Sequence, residues 1–201
     1  MLKSSLLILL SLFAWGLLHS LTASLWAKAR ARQLFGPSAG RGYRLAYNLV
    51  AGITLLPVFA LAALLPDREL YAIPLPWSLL TLLLQAGAAV ALAAGLLQTG
   101  VWSFLGLRQI FTQEDAPPQL VVRGLYRWVR HPLYTAGLVL IWLTPVMTAN
   151  LLALDAGLTL YIIVGAMFEE RKLQAEFGEA YAVYKRRTPM LIPGARLGSA
   201  R

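Results

Sequence analysis

Long apolar runs separated by short, basic, polar stretches set the pattern of this chain. Five runs approach the roughly 20 apolar residues needed to cross a bilayer core: about 4–27, 45–65, 77–104, 132–149 and 151–168. The last two are short and meet around Asn150, which predicts a tight helical hairpin. Beyond them Leu173, Phe177, Tyr181 and Tyr184 recur at helical spacing with charges opposite. That is the pattern of an amphipathic helix on a membrane surface, interrupted at Gly178 and ended by Pro189. The expected fold is all-α: a polytopic membrane helix bundle of five transmembrane helices with a C-terminal amphipathic interfacial helix, one domain over residues 1–201.

The runs carry internal detail. Met1–Ala27 reads as a retained first span, because it is longer than a signal-peptide core of about 7–15 residues and its positive charges follow it. Trp15, His19, Thr22 and Trp26 share one face of that helix. A polar residue at membrane depth faces protein or a cavity. His19 is therefore either bonded to a neighbouring helix or part of a pocket. Pro57 predicts a kink in the second span. Gly87, Ala91 and Gly95 form a small-residue row that admits another helix closely.

Composition agrees: 58% of residues are hydrophobic and only 13% charged, against about 25% charged in an ordinary soluble domain. The formal charge of +9 would suit nucleic acid, but the basic residues sit in loops between spans. That suits membrane topology and anionic lipid headgroups, not DNA. Of the 18 Lys and Arg residues, only Lys3 and Arg68 fall on the far side of the predicted spans. The positive-inside rule then puts the N-terminus out and the C-terminus in the cytoplasm, in a bacterial inner membrane. The connection with Glu114-Asp115 and Pro117-Pro118 is polar and cytosolic. With no cysteine, disulfides and thiolate chemistry are excluded, and two histidines leave little for a metal, so none is expected. Phosphate loops, nucleophile elbows and zinc-protease motifs are absent.

Two clusters carry chemistry. One is Arg123–Gly137, at the start of the fourth span; the other is Glu169-Glu170, at the end of the fifth. A hairpin of near-equal arms brings them together. Arg127, Arg130, His131 and the helix N-terminus offer a corner for a carboxylate. Glu169 and Glu170 offer acceptors for an ammonium or ribose hydroxyls, and Tyr126, Trp128 and Tyr134 offer flat faces for a purine or a cation. S-adenosylmethionine satisfies that list, although interface anchoring and a solvated helix turn account for the same residues.

Gly124-Leu125-Tyr126 with Val129-Arg130-His131-Pro132-Leu133-Tyr134 resembles the signature of membrane-embedded methyltransferases, the superfamily of isoprenylcysteine carboxyl methyltransferases and phospholipid methyltransferases. The tail Glu169-Glu170, Leu173, Phe177-Gly178, Tyr181, Tyr184 and Leu191-Ile192-Pro193 resembles the rest of it. Leu18-His19-Ser20-Leu21 and Arg44-Leu45-Ala46-Tyr47-Asn48 resemble the nurim-like branch, which includes methanethiol S-methyltransferases. The resemblance implies that Tyr126, Arg130, His131, Pro132, Leu133, Tyr134, Gly137, Glu169 and Glu170 bind S-adenosylmethionine within a region of about 123–193. It implies methyl transfer at the cytosolic face to a lipid-like or small hydrophobic O, N or S acceptor, with His19 and Glu170 as candidate catalytic residues. The alternative is a non-catalytic scaffold or cofactor-binding protein of the same fold. One position departs from the pattern: relatives often place glycine two residues after the tyrosine, where this chain has Ala136 followed by Gly137.

Overall fold

The computed structural model of the protein describes residues 2–36, 39–107 and 119–194. The expected connection around Glu114–Pro118, and Arg196 and Arg201, lie outside the described residues. The described chain is mainly helical: α1 (Leu2–Thr22), α2 (Leu25–Phe35), α3 (Ala39–Leu64), α4 (Trp77–Thr99), α5 (Val101–Leu105), α6 (Pro132–Trp142), α7 (Ala149–Phe177) and α8 (Glu179–Arg187). Two short strands, β1 (Glu69–Ala72) and β2 (Val146–Thr148), pair antiparallel. Four helices are long and apolar enough to cross a membrane, over Leu2–Thr22, Gly42–Leu64, Trp77–Gln98 and Ala149–Phe177. The chain is an integral membrane protein.

The elements differ from the apolar runs wherever a local signal breaks a helix. The first run divides at Ala23-Ser24. The Ser24 hydroxyl accepts from the Ala27 amide at 3.2 Å and caps α2, as a short polar side chain does at a helix start. Trp26 therefore belongs to α2, off the face shared by Trp15, His19 and Thr22. The third run divides at Gly100, whose φ of 80° lies in the left-handed region. The expected span over 132–149 is an 11-residue helix, about 16 Å long at 1.5 Å per residue. It stops because Pro145 disfavours helical backbone at Thr144 and residues 146–148 pair with β1 instead. The reversal accordingly occupies residues 143–148, and Asn150 stands in the first turn of α7. The long helix continues unbroken to Phe177, so Glu169–Lys172 extend it and do not open a new one. Gly178, at φ 53°, then splits the expected amphipathic segment.

The helices fall into two compact units. One comprises residues up to Ala72, the α5 region and residues 146–158. Its core is Ile8 and Leu12 of α1, Val58 and Ala62 of α3, and Leu154 of α7. Trp15 Nε1 donates to the Ala51 carbonyl at 2.9 Å. A Cβ on Gly157 would lie 2.5 Å from Leu12 Cδ2, so glycine is what admits that leucine. Asp67 Oδ1 accepts from the Asn150 amide at 2.9 Å, and the buried Asn150 amide group donates to the Leu65 carbonyl at 3.1 Å. Together these tie the end of α3 to the start of α7.

The second unit holds α4, α6, the C-terminal part of α7, and α8. The small-residue row on α4 is used at one end: a Cβ on Gly95 would meet Leu133 Cδ2 at 2.7 Å, whereas Gly87 has nothing within 4 Å. Gln85 Nε2 donates to the Leu140 carbonyl at 2.6 Å. Two rungs set the register of α6 against α7: Trp142 Nε1 to Thr159 Oγ1 at 2.8 Å, and Tyr134 hydroxyl to Glu169 Oε2 at 2.9 Å.

Candidate cofactor site

Gly124, at φ 64°, opens a single 3-10 turn over Gly124–Arg127. After a turn at Trp128, residues 130 and 131 lie beside the chain that follows α8. The Arg130 amide donates to the Pro189 carbonyl at 2.9 Å and the His131 amide to Met190 at 3.1 Å. Thr135 Oγ1 donates to the Leu191 carbonyl at 2.7 Å. His131 is the N-cap of α6 and Pro132 its first residue, where a missing amide hydrogen costs nothing. The two halves of the expected signature are thus stitched together by backbone.

Their side chains meet on one carboxylate. Glu170 is 6% exposed. Its Oε1 accepts from Arg130 Nε and pairs with Arg130 Nη2, both at 2.6 Å, and its Oε2 lies 2.9 Å from Lys185 Nζ. Arg130 Nη1 also donates to the Lys185 carbonyl at 3.1 Å and to the Thr188 carbonyl. Every guanidinium nitrogen has a partner inside the protein, so the group clamps Glu170 and the α8 end. His131 is buried and stacks on Tyr134, ring centres 5.3 Å apart. Its Nδ1 is 3.7 Å from Glu169 Oε2 and its Nε2 is 3.4 Å from Glu170 Oε1. Nε2 makes no hydrogen bond among the described residues. Glu169 differs from its neighbour: its side chain is 47% exposed.

Two tyrosines frame this network. The Tyr184 hydroxyl donates to the Tyr126 carbonyl at 2.5 Å. Burial raises the Tyr184 hydroxyl to about 12; Arg130 opposes, while Tyr126 and Glu170 add to the rise. Burial, then the Glu169 charge, likewise raises Tyr126. Both therefore stay protonated as hydrogen-bond donors near neutral pH.

An apolar groove of about 300 Å³ lies next to the motif, between α4 and α6, with Gly87, Ala91, Trp128, Pro132 and Ala136 in its walls. Arg127 stands outside the network, 5.6 Å over the exposed Trp128 ring. A Cβ on Gly137 would meet nothing within 4 Å, so this position leaves open space. His19 belongs to the other unit, stacked on Trp15 at 5.4 Å and 5.8 Å from Tyr47.

The residues suit the zwitterionic end of S-adenosylmethionine in one specific respect. The half-exposed Glu169 carboxylate offers an acceptor for an ammonium, and the His131 Nδ1 edge lies 3.7 Å from it, while Nε2 faces the clamped Glu170 at 3.4 Å. Sequence patterning missed Lys185, Thr135 and Thr188. Lys185 is one of three consecutive basic residues, and only the break at Gly178 turns it towards Glu170.

The phospholipid methyltransferase (PEMT) family pattern matches residues 79–180, half of the chain. The chain belongs to the phospholipid methyltransferase family. It is also similar to curated methanethiol S-methyltransferases: 42% identical over 99 residues to methanethiol S-methyltransferase 1 of Bradyrhizobium diazoefficiens, covering 47% of this chain and 35% of that protein. Over 96 residues it is 41% identical to the Mycobacterium tuberculosis enzyme, covering 46% and 39%, and 38% identical to that of Crocosphaera subtropica, covering 46% and 38%. The alignment thus spans little more than a third of each relative's length. No solved structure matches the chain. The family and these relatives bear out the resemblance to membrane-embedded methyltransferases and to the branch that includes methanethiol S-methyltransferases.

Proposed function

We propose that this protein is an S-adenosylmethionine-dependent membrane methyltransferase acting on a small apolar thiol. The observation that carries the reading is the joining of Arg130 and His131 to Glu169 and Glu170 in a single network around the buried Glu170. The thiol comes from the relatives, named as methanethiol S-methyltransferases. The apolar groove beside Pro132 supports a hydrophobic acceptor.

His131 and Glu169 hold the ligand's carboxylate and ammonium ends, Tyr126 and Tyr134 contribute aromatic faces, and Leu133, Pro132 and Gly137 shape the wall. Arg130 and Lys185 hold Glu170 in place. S-adenosylmethionine, when bound, supplies a methyl group on a positively charged sulfur. The chain's part is alignment and exclusion of water around that charge. A thiol acceptor loses its proton as the new bond forms. Glu170, already clamped by two cations, is poorly suited to take it, whereas Glu169 opens to solvent. The basic loops support N-terminus out, C-terminus cytoplasmic and a site at the cytosolic face of a bacterial inner membrane. A fifth crossing requires α6 together with the extended residues after it.

In detergent, S-adenosylmethionine or its demethylated product should raise the melting temperature, and His131→Ala should abolish the shift. No shift in a folded parent protein would sink the enzyme reading and leave the scaffold alternative. Labelled methyl transfer offered to small thiols and to extracted lipids then separates acceptors. The family's name favours lipid as the second reading, and label appearing in lipid with none in thiol would establish it.

A further inference from the structure

A second cavity shares Glu170 with the network but is not lined by His131. It is a cleft of about 310 Å³ lined by Met167, Glu170, Arg171, Gln174 and Lys185. Four of these lie along one face of α7, and Lys185 reaches in from α8. The chemistry changes sharply along that face. Met167 and Phe168 are about half exposed and apolar, and the next four residues, Glu169–Lys172, are all charged. The cleft therefore straddles the apolar-to-polar boundary of a helix apolar enough to cross the membrane.

Its charge is unbalanced. The Glu170 carboxylate is already met by Arg130 at 2.6 Å and Lys185 at 2.9 Å, and Arg171 adds a further cation to a lining with this one carboxylate. The Arg171 guanidinium lies 5.4 Å over the Phe168 ring, so it stands at the level of the last apolar residues of the face. The Lys185 side chain is half exposed and has ammonium hydrogens to spare for a second acceptor. On the same wall Gln174 Nε2 donates to the Gly178 carbonyl at 2.9 Å and keeps its second N–H for another acceptor.

We propose that this cleft binds the phosphate of an anionic phospholipid headgroup, with Arg171 and Lys185 as its cationic ligands, Gln174 as a hydrogen-bond donor and Met167 against the first acyl carbons. A guanidinium and an ammonium converging on one cleft match a phosphodiester. The apolar residues directly beneath distinguish a lipid from a free anion. The occupant is a resident lipid and not a methyl acceptor. Lys185 is common to this cleft and to the Glu170 network, so headgroup and cofactor region share one side chain.

The test uses delipidated full-length protein in neutral detergent, titrated with short-chain phosphatidylglycerol, which has neither amine nor thiol, and read by native mass spectrometry and melting temperature. Phosphatidylglycerol should bind and stabilise, and phosphatidylcholine should do so more weakly. Arg171→Gln should weaken phosphatidylglycerol about fivefold, the equivalent of the ~1 kcal/mol that a basic side chain contributes at an anionic surface. The control is Lys172→Gln, an exposed neighbour outside the cleft, which should leave binding unchanged. Equal weakening by both variants would reduce the effect to diffuse surface charge and overturn the site. Inorganic phosphate protecting as well as phosphatidylglycerol would overturn the lipid assignment. Binding is read without S-adenosylmethionine, so failure of the methyltransferase reading leaves this test intact.

Discussion

Glu170→Gln tests whether the buried ion network organises the C-terminal unit. The substitution keeps size and one acceptor oxygen but removes the negative charge that two cations share. Arg130 and Glu170 side chains are 9% and 7% exposed. Breaking a pair buried to that degree costs about 3–5 kcal/mol, because the surviving charge is left without its counterion. Arg130 retains the carbonyls of Lys185 and Thr188, which places the loss at the lower end, about 3 kcal/mol. The half-exposed Lys185 can turn to solvent and adds less than ~1 kcal/mol. For a chain of this size the drop corresponds to roughly 10 °C at about 2–4 °C per kcal/mol. The assay is thermal unfolding of cofactor-free protein in detergent, compared with Arg186→Gln. Arg186 pairs with Glu179 at 2.7 Å, but those side chains are 62% and 76% exposed, and the loss there should stay within ~0.5 kcal/mol. If the two variants melt together, the network is not what holds α8 and residues 188–191 against the motif.

Tyr184→Phe removes the donor to the Tyr126 carbonyl from a buried position; it should cost about 1–2 kcal/mol in the same thermal assay. Gly106→Ala places a Cβ 2.6 Å from the Leu45 backbone nitrogen at a φ of 90°, whereas Gly36→Ala meets the φ strain alone. The first should lower the melting temperature several times more than the second, because backbone does not yield as a side chain does. For Asp67, some burial raises its carboxyl, but hydrogen bonds from Thr148 and from the Asn150, Arg68 and Ala149 amides outweigh it and hold the group below its usual 3.8. Its stabilisation is then fully present above pH 3.8 and is lost as pH falls through the lower folded value. A melting-temperature gap between wild type and Asp67→Asn should be constant near neutrality and close below that point.

Apolar run length made four spans legible, and the pairing of Arg130-His131 with Glu169-Glu170 followed from the hairpin alone. What escaped was set by single residues acting at a distance. Ser24 and Gly100 divide apolar runs that hydropathy alone joins, because capping and left-handed backbone leave no trace in hydrophobicity. Pro145 was visible, but the partner strand that makes extended chain acceptable there is about 75 residues away. Arg130 was legible as a cation at the site, but not as one already spent on Glu170, since the carbonyls of Lys185 and Thr188 that fix it carry no sequence signal.

The brevity of α6 bears on how the chain enters its membrane. An eleven-residue helix falls well short of the ~20 apolar residues that a segment needs to be retained by itself. The Trp142–Thr159 and Tyr134–Glu169 rungs fasten that helix to its successor. Its integration during synthesis thus waits on α7, and the two partition into lipid as one insertion unit. A nascent chain stopped after Trp142 should leave residues 132–142 open to an added protease, whereas one extended through Phe177 should protect them within the bilayer.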